Sequence, residues 1–131
     1  EMFVFAFGGA VSAAMADTIS SEIGLLFKSP RLITTFKKVE YGTDGGVTLH
    51  GTFSGILGAI LIAIAMEVCI GIGILGMVVI VLGGFLGMMM DSLLGAMFED
   101  RFLSNEGVNF ISTLTGAICG IYGAIWFGLI M

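Results

Sequence analysis

Charge is scarce in this sequence. Only 11% of its residues are Asp, Glu, Lys or Arg, against 57% hydrophobic, and the mean hydropathy is +1.10. A soluble domain carries charge on about a quarter of its residues, so a water-soluble globular fold is excluded. Cysteine is nearly absent too. Cys69 and Cys119 stand alone in apolar segments, with no CxxC spacing and no nearby histidine. That excludes a disulfide framework and a thiolate metal site, and both cysteines read as buried and inert. His50 is the sole histidine. There is no Ser/His/Asp set, HExxH, Walker A spacing or basic patch interleaved with aromatics. Peptidase, P-loop and nucleic-acid readings therefore have no support. No basic n-region precedes the first apolar run, which follows Glu1 almost directly. That argues against a signal peptide. We expect a single integral membrane domain over residues 1–131, the C-terminal part of a longer multipass protein.

Long apolar runs fill the space that charge leaves. Residues 56–66 and 68–90 are uninterrupted apolar stretches with glycine, and roughly 20 such residues, at about 1.5 Å each, cross the hydrocarbon core. Four spans are predicted: 2–16, continuing helically through Asp17 and Glu22, then about 47–66, 74–95 and 108–131. The expected fold is an all-α polytopic transmembrane helix bundle. Glu67 is placed at the turn between the second and third spans, because a carboxylate is better tolerated at an interface than mid-bilayer. Counting crossings puts the loops at about 25–46 and 96–107 on one side. Lys28, Arg31, Lys37, Lys38 and Arg101, all five basic residues, lie there. The positive-inside rule makes that side cytoplasmic. The net charge of −5 says less than this bunching, since the acids are scattered. Among the 21 glycines, Gly51/Gly55, Gly83/Gly87 and Gly116/Gly120 recur at four-residue spacing, which lets helix backbones approach closely in lipid. The likeness between "TFSGILGAI" and "TLTGAICGI" reads as a shared packing need rather than a repeat.

Four polar blocks could carry chemistry. In "ADTISSEIG" Asp17 shares a helical face with Ser20, Ser21 and Gly24, and Thr18 stacks with Glu22. So many polar groups ending an apolar span fit either an amphipathic helix end at the headgroups or a metal or phosphate site, since carboxylate and hydroxyl oxygens suit Mg²⁺. In "KKVEYGTDGG" Lys37 and Lys38 supply positive charge, Glu40 can order one of them or a metal, and Gly42, Gly45 and Gly46 permit positive φ. Such a turn forms an anion-binding concavity, and it equally fits anchoring to anionic headgroups. In "GMMMDSLLGAMFEDR" Asp91 is an aspartate near the end of an apolar span, a functional candidate by default. Met88, Met89 and Met90 read as packing residues, and Glu99 and Asp100 as solvated loop. In "NEGVNFISTLTGA" Asn105 is a candidate N-cap, and Asn109 would face Ser112 or Thr113.

Together "ADTISSEIG", "SPRLITTFKKVEYGTDGGVTLHGTFSGILGA", "DSLLGA" and "VNFISTLTGA" resemble, in order and spacing, a family of multipass membrane proteins that includes the plant phytyl-phosphate kinases. A looser likeness reaches CTP-dependent phytol and dolichol kinases and CDP-diglyceride synthetases. Asp17 with Gly24 is similar to their first motif. Lys37 to Glu40 with Gly42 is similar to the second, with Tyr41 inserted, and Asp91 with Ser92 to the third. The resemblance implies phosphoryl transfer from CTP, or another nucleoside triphosphate, to an isoprenoid monophosphate within the bilayer. It implies Asp17, Lys37, Lys38 and Asp91 as catalytic residues. Asp17, Glu22 and Asp91 would hold Mg²⁺ or Mn²⁺. Arg31, Glu40, Gly42, Thr43, Gly45, Gly46 and Arg101 would bind nucleotide phosphates, and Ser21, Ser92 and Asn109 would line the polar cavity. A homodimer is an open expectation. Two other readings stand beside this one: a CDP-lipid-forming cytidylyltransferase, and a transporter or ion pathway with Asp17 and Asp91 as coupling carboxylates.

Overall fold

The computed structural model describes residues 1–27, 29–98 and 102–130. Four helices, α1 (Met2–Gly24), α2 (Leu49–Ile70), α3 (Gly73–Phe98) and α4 (Asn105–Trp126), are each long and apolar enough to cross a membrane. The chain is thus an all-α polytopic bundle, as the apolar runs predict. Two short strands, β1 (Arg31–Leu32) and β2 (Gly46–Val47), pair antiparallel in the α1–α2 connection. That ribbon was not foreseen.

Helix ends follow local chemistry and correct the expected bounds. α2 continues past Glu67 to Ile70 and stops at Gly71, whose φ of 75° is the left-handed conformation that glycine adopts at helix ends. Glu67 still serves the turn: its carboxylate accepts the Gly73 N–H at 2.6 Å, satisfying a donor that the start of α3 leaves orphaned. α4 begins earlier than expected because Ser104, not Asn105, is the N-cap, its hydroxyl accepting the Gly107 N–H at 3.2 Å. The helix ends at Trp126 rather than at the chain end, with Gly128 at a φ of 66° just beyond it.

The bundle is packed small side inward. α1 lies against α2, α3 and α4, and α2 and α4 flank the α1–α3 pair. The buried positions of α1 are Phe5, Gly8, Gly9, Ser12, Ala13 and Ala16, and those of α4 include Ser112, Gly116, Gly120 and Ala124. Large residues such as Phe3, Phe7, Leu57, Ile74 and Tyr122 point outward. In lipid no hydrophobic force drives helices together, so close backbone packing must do so, and small residues permit it. The expected glycine pairs sit in these contacts. A Cβ on Gly55 would lie 2.8 Å from the Ala16 carbonyl oxygen, and one on Gly87 would lie 2.8 Å from that of Ser112. Met88 fills the α2–α3 contact beside Gly55. The expectation of two buried cysteines is corrected: Cys69 is on the outer face of α2 and Cys119 is half-buried, since each falls off its helix's small-residue stripe.

Candidate functional site

At one end of the bundle, α1 ends, the ribbon folds back, α3 ends and α4 begins. These four segments enclose a cavity of about 460 Å³, within the size range of small-ligand sites. Its floor is the Asp91 carboxyl, which lies against the side chains of Asp17 and Ser112. Asp91 Oδ1 is buried and, among the described residues, has no hydrogen-bond partner. Two carboxyl groups this close need a shared proton or a cation between them.

The lid is the glycine loop. The Thr43 N–H and hydroxyl both donate to the Glu40 carbonyl, at 3.3 and 2.8 Å, and the Gly46 N–H donates to the Thr43 carbonyl at 2.9 Å. Two successive turns result, with Gly42 (φ 80°) and Gly45 (φ 72°) third in each, the position where a type II turn demands positive φ. Gly45 also touches α3: a Cβ there would meet the Ser92 carbonyl oxygen at 2.6 Å. Only glycine lets this loop rest on α3 beside Asp91. Tyr41 occupies the second place of the first turn, where any residue fits, and its ring reaches the cavity wall.

Of the residues expected from sequence, Asp17, Ser21, Glu22, Gly42, Thr43, Gly45, Gly46, Asp91, Ser92 and Asn109 line this one cavity. Arg31, Lys37, Lys38 and Glu40, expected to handle phosphate, are not among the described residues that line it. Arg31 pairs with Val47 and, across the other edge, with Lys38, while Leu32 pairs with Gly46. Directly opposed residues share a face, so Arg31 and Lys38 lie side by side, while Gly46 and Val47 both border the cavity. Arg101 lies outside the described residues, as do Lys28, Glu99 and Asp100. Thr18, Ser20, Asp44, Thr48 and Asn105 also line the cavity without having been assigned to it. Asp44 stood inside a block already singled out, and Asn105 is available because Ser104 does the capping.

The described lining thus holds four acids, Asp17, Glu22, Asp44 and Asp91, and no base. Polyphosphate would be repelled unless cations came with it. No group of three His, Cys, Asp or Glu side chains among the described residues is placed to hold a metal ion, so Asp17, Glu22 and Asp91 do not form a three-ligand cage. Mg²⁺ rarely needs one: it keeps several waters and binds through one or two carboxylates plus substrate phosphates. The Asp17–Asp91 pair with its orphaned oxygen fits that mode.

Residues 1–117 match the family described as integral membrane protein DUF92. The chain is 48% identical over 117 residues to membrane protein MJ0933 of Methanocaldococcus jannaschii, covering 85% of this chain and 47% of that one. It is 33% identical over 133 residues to the chloroplastic protein VTE6 of Arabidopsis thaliana (92% and 38% covered) and 30% identical over 142 residues to protein PGR of the same plant (81% and 49%). The chain therefore spans about half or less of the length of these relatives. No solved structure matches.

Proposed function

The chain belongs to the integral membrane protein family DUF92, and on that premise we propose that it forms the reaction end of a kinase. This kinase transfers the γ-phosphoryl group of CTP, or another nucleoside triphosphate, to an isoprenoid monophosphate. The carrying observation is the polar cavity at one membrane end, where Asp17, Asp91 and a double-turn glycine loop converge. Similarity to the family that includes plant phytyl-phosphate kinases supplies the reaction class.

Phosphoryl transfer asks for positioning and charge neutralisation more than for covalent chemistry. An oxygen of the prenyl phosphate attacks the γ-phosphorus, the bond to the β–γ bridging oxygen breaks, and CDP leaves. The attacking monoester is mostly ionised at neutral pH, its second pKa being about 6, so no strong general base is required. Asp17 and Asp91 would hold Mg²⁺ or Mn²⁺, which when bound neutralises phosphate charge. The backbone of residues 42–46, Thr43 and Asn109 would orient the phosphates, with Ser21 and Ser92 completing the polar wall. The prenyl tail would lie along the outer, large-residue faces of the helices. We take this end as cytoplasmic from the distribution of basic residues. Among the described residues the buried interior of the bundle is apolar or glycine apart from Ser12 and Ser112, which speaks against an ion pathway.

The test is to incubate purified full-length protein in detergent with a prenyl phosphate, CTP and Mg²⁺ and to follow the lipid by mass spectrometry. Prenyl diphosphate with release of CDP is expected. Release of pyrophosphate with a CDP-lipid would assign nucleotidyl transfer instead, and no product with any chain length or nucleotide would refute both.

A further inference from the structure

The ribbon also borders a second cavity, of about 370 Å³. Arg31 and His50 line it, with Phe27 and Phe36 as its apolar walls and Thr52 among its hydroxyls. Both polar rings and chains here are held in place. His50 stacks on Phe27 with 3.8 Å between centroids and 3° between planes. The Arg31 guanidinium donates to the Phe36 carbonyl at 2.9 Å, and Phe36 presents that carbonyl from a φ of 56°, a conformation that bulky residues seldom hold without tertiary support. One of the five guanidinium donors is used in this way, and Arg31 forms no ion pair with another described residue.

Charge is unbalanced in this arrangement. Arg31 and Lys38 are directly opposite across a strand pair, so two cations share one face at a distance where like charges repel. Lys38 likewise has no ion-pair partner among the described residues. An anion seated between them removes the repulsion. The surroundings say what carries that anion. His50 is in the first turn of α2, a helix apolar enough to cross the membrane, which sets the cavity at headgroup depth. Phe36, Leu49 and Phe53 beside it are each about two-thirds exposed or more (68%, 76% and 66%), an apolar ridge suited to acyl chains rather than water. We propose that this cavity binds the phosphate headgroup of an anionic bilayer lipid, with Arg31, which lines it, and Lys38, paired across the ribbon from Arg31, on the phosphate and Phe36, Leu49 and Phe53 along the chains. Through the Arg31–Val47 pairing the bound lipid would brace the ribbon, whose Gly46 and Val47 also wall the acidic cavity.

The experiment uses the whole protein extracted from vesicles of phosphatidylcholine mixed with phosphatidylglycerol, with lipid retention read by native mass spectrometry. Wild type is expected to retain phosphatidylglycerol in preference to phosphatidylcholine. R31Q and K38Q should each lose that preference roughly fivefold, as expected for removing one basic group from an anionic surface contact. K37Q, one residue off the shared face, should leave it unchanged, and F36S should weaken retention of both lipids. Thermal melts of each variant identify any that misfold, and only folded ones are compared. Retention of phosphatidylglycerol equal in wild type and R31Q/K38Q would overturn the proposal. So would binding of inorganic phosphate at this site, sensitive to R31Q, without any lipid preference. Neither result bears on the kinase reading, because no nucleotide is involved.

Discussion

Replacing Gly116 by Ala adds one methyl group in the middle of α4, and the structure sets where it goes. It would fall 2.7 Å from the Cβ of Ala13 and closer still to the Gly9 carbonyl oxygen. The obstacle on α1 is backbone and a Cβ, neither of which can rotate away, so the helices must move apart along the whole crossing. Overpacking of this kind costs about 1–3 kcal/mol, sometimes more. Helix propensity works the other way, Ala being better than Gly by about 1 kcal/mol in a helix interior. Because the clash is with fixed atoms, its upper range applies and the net should be about 1–2 kcal/mol of destabilisation. G107A is the matched control on the same helix. There the nearest atom to an added Cβ is 3.6 Å away, an ordinary contact, so only the propensity gain remains. Thermal unfolding in one detergent, followed by the fluorescence of the single tryptophan, Trp126, should lower the midpoint for G116A and leave G107A level or slightly raised. At about 2–8 °C per kcal/mol for chains of this size, the two variants should be separated by several degrees. If G116A melted with G107A, the α1–α4 contact would not be the close backbone crossing described here.

Three further outcomes concern the acidic cavity. D91N should reduce diphosphate formation by at least about a hundredfold, a loss typical of removing an electrostatic contact made in the transition state, while the melting temperature stays the same or rises, because the carboxyl pair is relieved. A fall in melting temperature matching the fall in activity would make Asp91 a packing residue. Chelation by EDTA should abolish CTP binding measured by calorimetry, since the described lining has four acids and no base; undiminished binding without divalent cation would place the nucleotide elsewhere. G45A should detach the glycine loop from α3, raising KM for nucleotide and opening residues 41–46 to proteolysis, whereas G42A, with nothing within 4 Å of the added carbon, should show only the cost of its positive φ, about 1 kcal/mol.

Much of the bundle was legible because the signals were local and long. Apolar runs of membrane-crossing length gave four spans, and the four-residue glycine spacing named the contact faces. The helix ends were less legible, because single residues decide them: Gly71 carried α2 one turn past Glu67, and Ser104 started α4 ahead of the first apolar residue. Periodicity does not see such residues. Crossing count also brought Asp17, Asp91, Asn109 and the glycine loop to one end, and the structure joins them in one cavity.

Crossing count gives a side of the membrane and nothing finer. All the loop residues between α1 and α2 share one end, so acids and bases alike seemed available to one ligand. Backbone pairing sets which of them lie side by side. Arg31 is opposite Lys38 and Val47, and Leu32 is opposite Gly46; Gly46 lines the cavity beside Asp91 and Arg31 the one beside Phe27 and His50, while Val47 borders both. A ribbon with strands of two residues leaves almost no hydrophobic alternation in the sequence, so its register could not be read there. The consequence is functional. Positive charge was expected to meet phosphate at the acidic cavity, whose described lining holds four acids and no base; on the proposed reading a cation held by Asp17 and Asp91 would neutralise the nucleotide, and the Arg31–Lys38 pair would be left to bind an anion of its own.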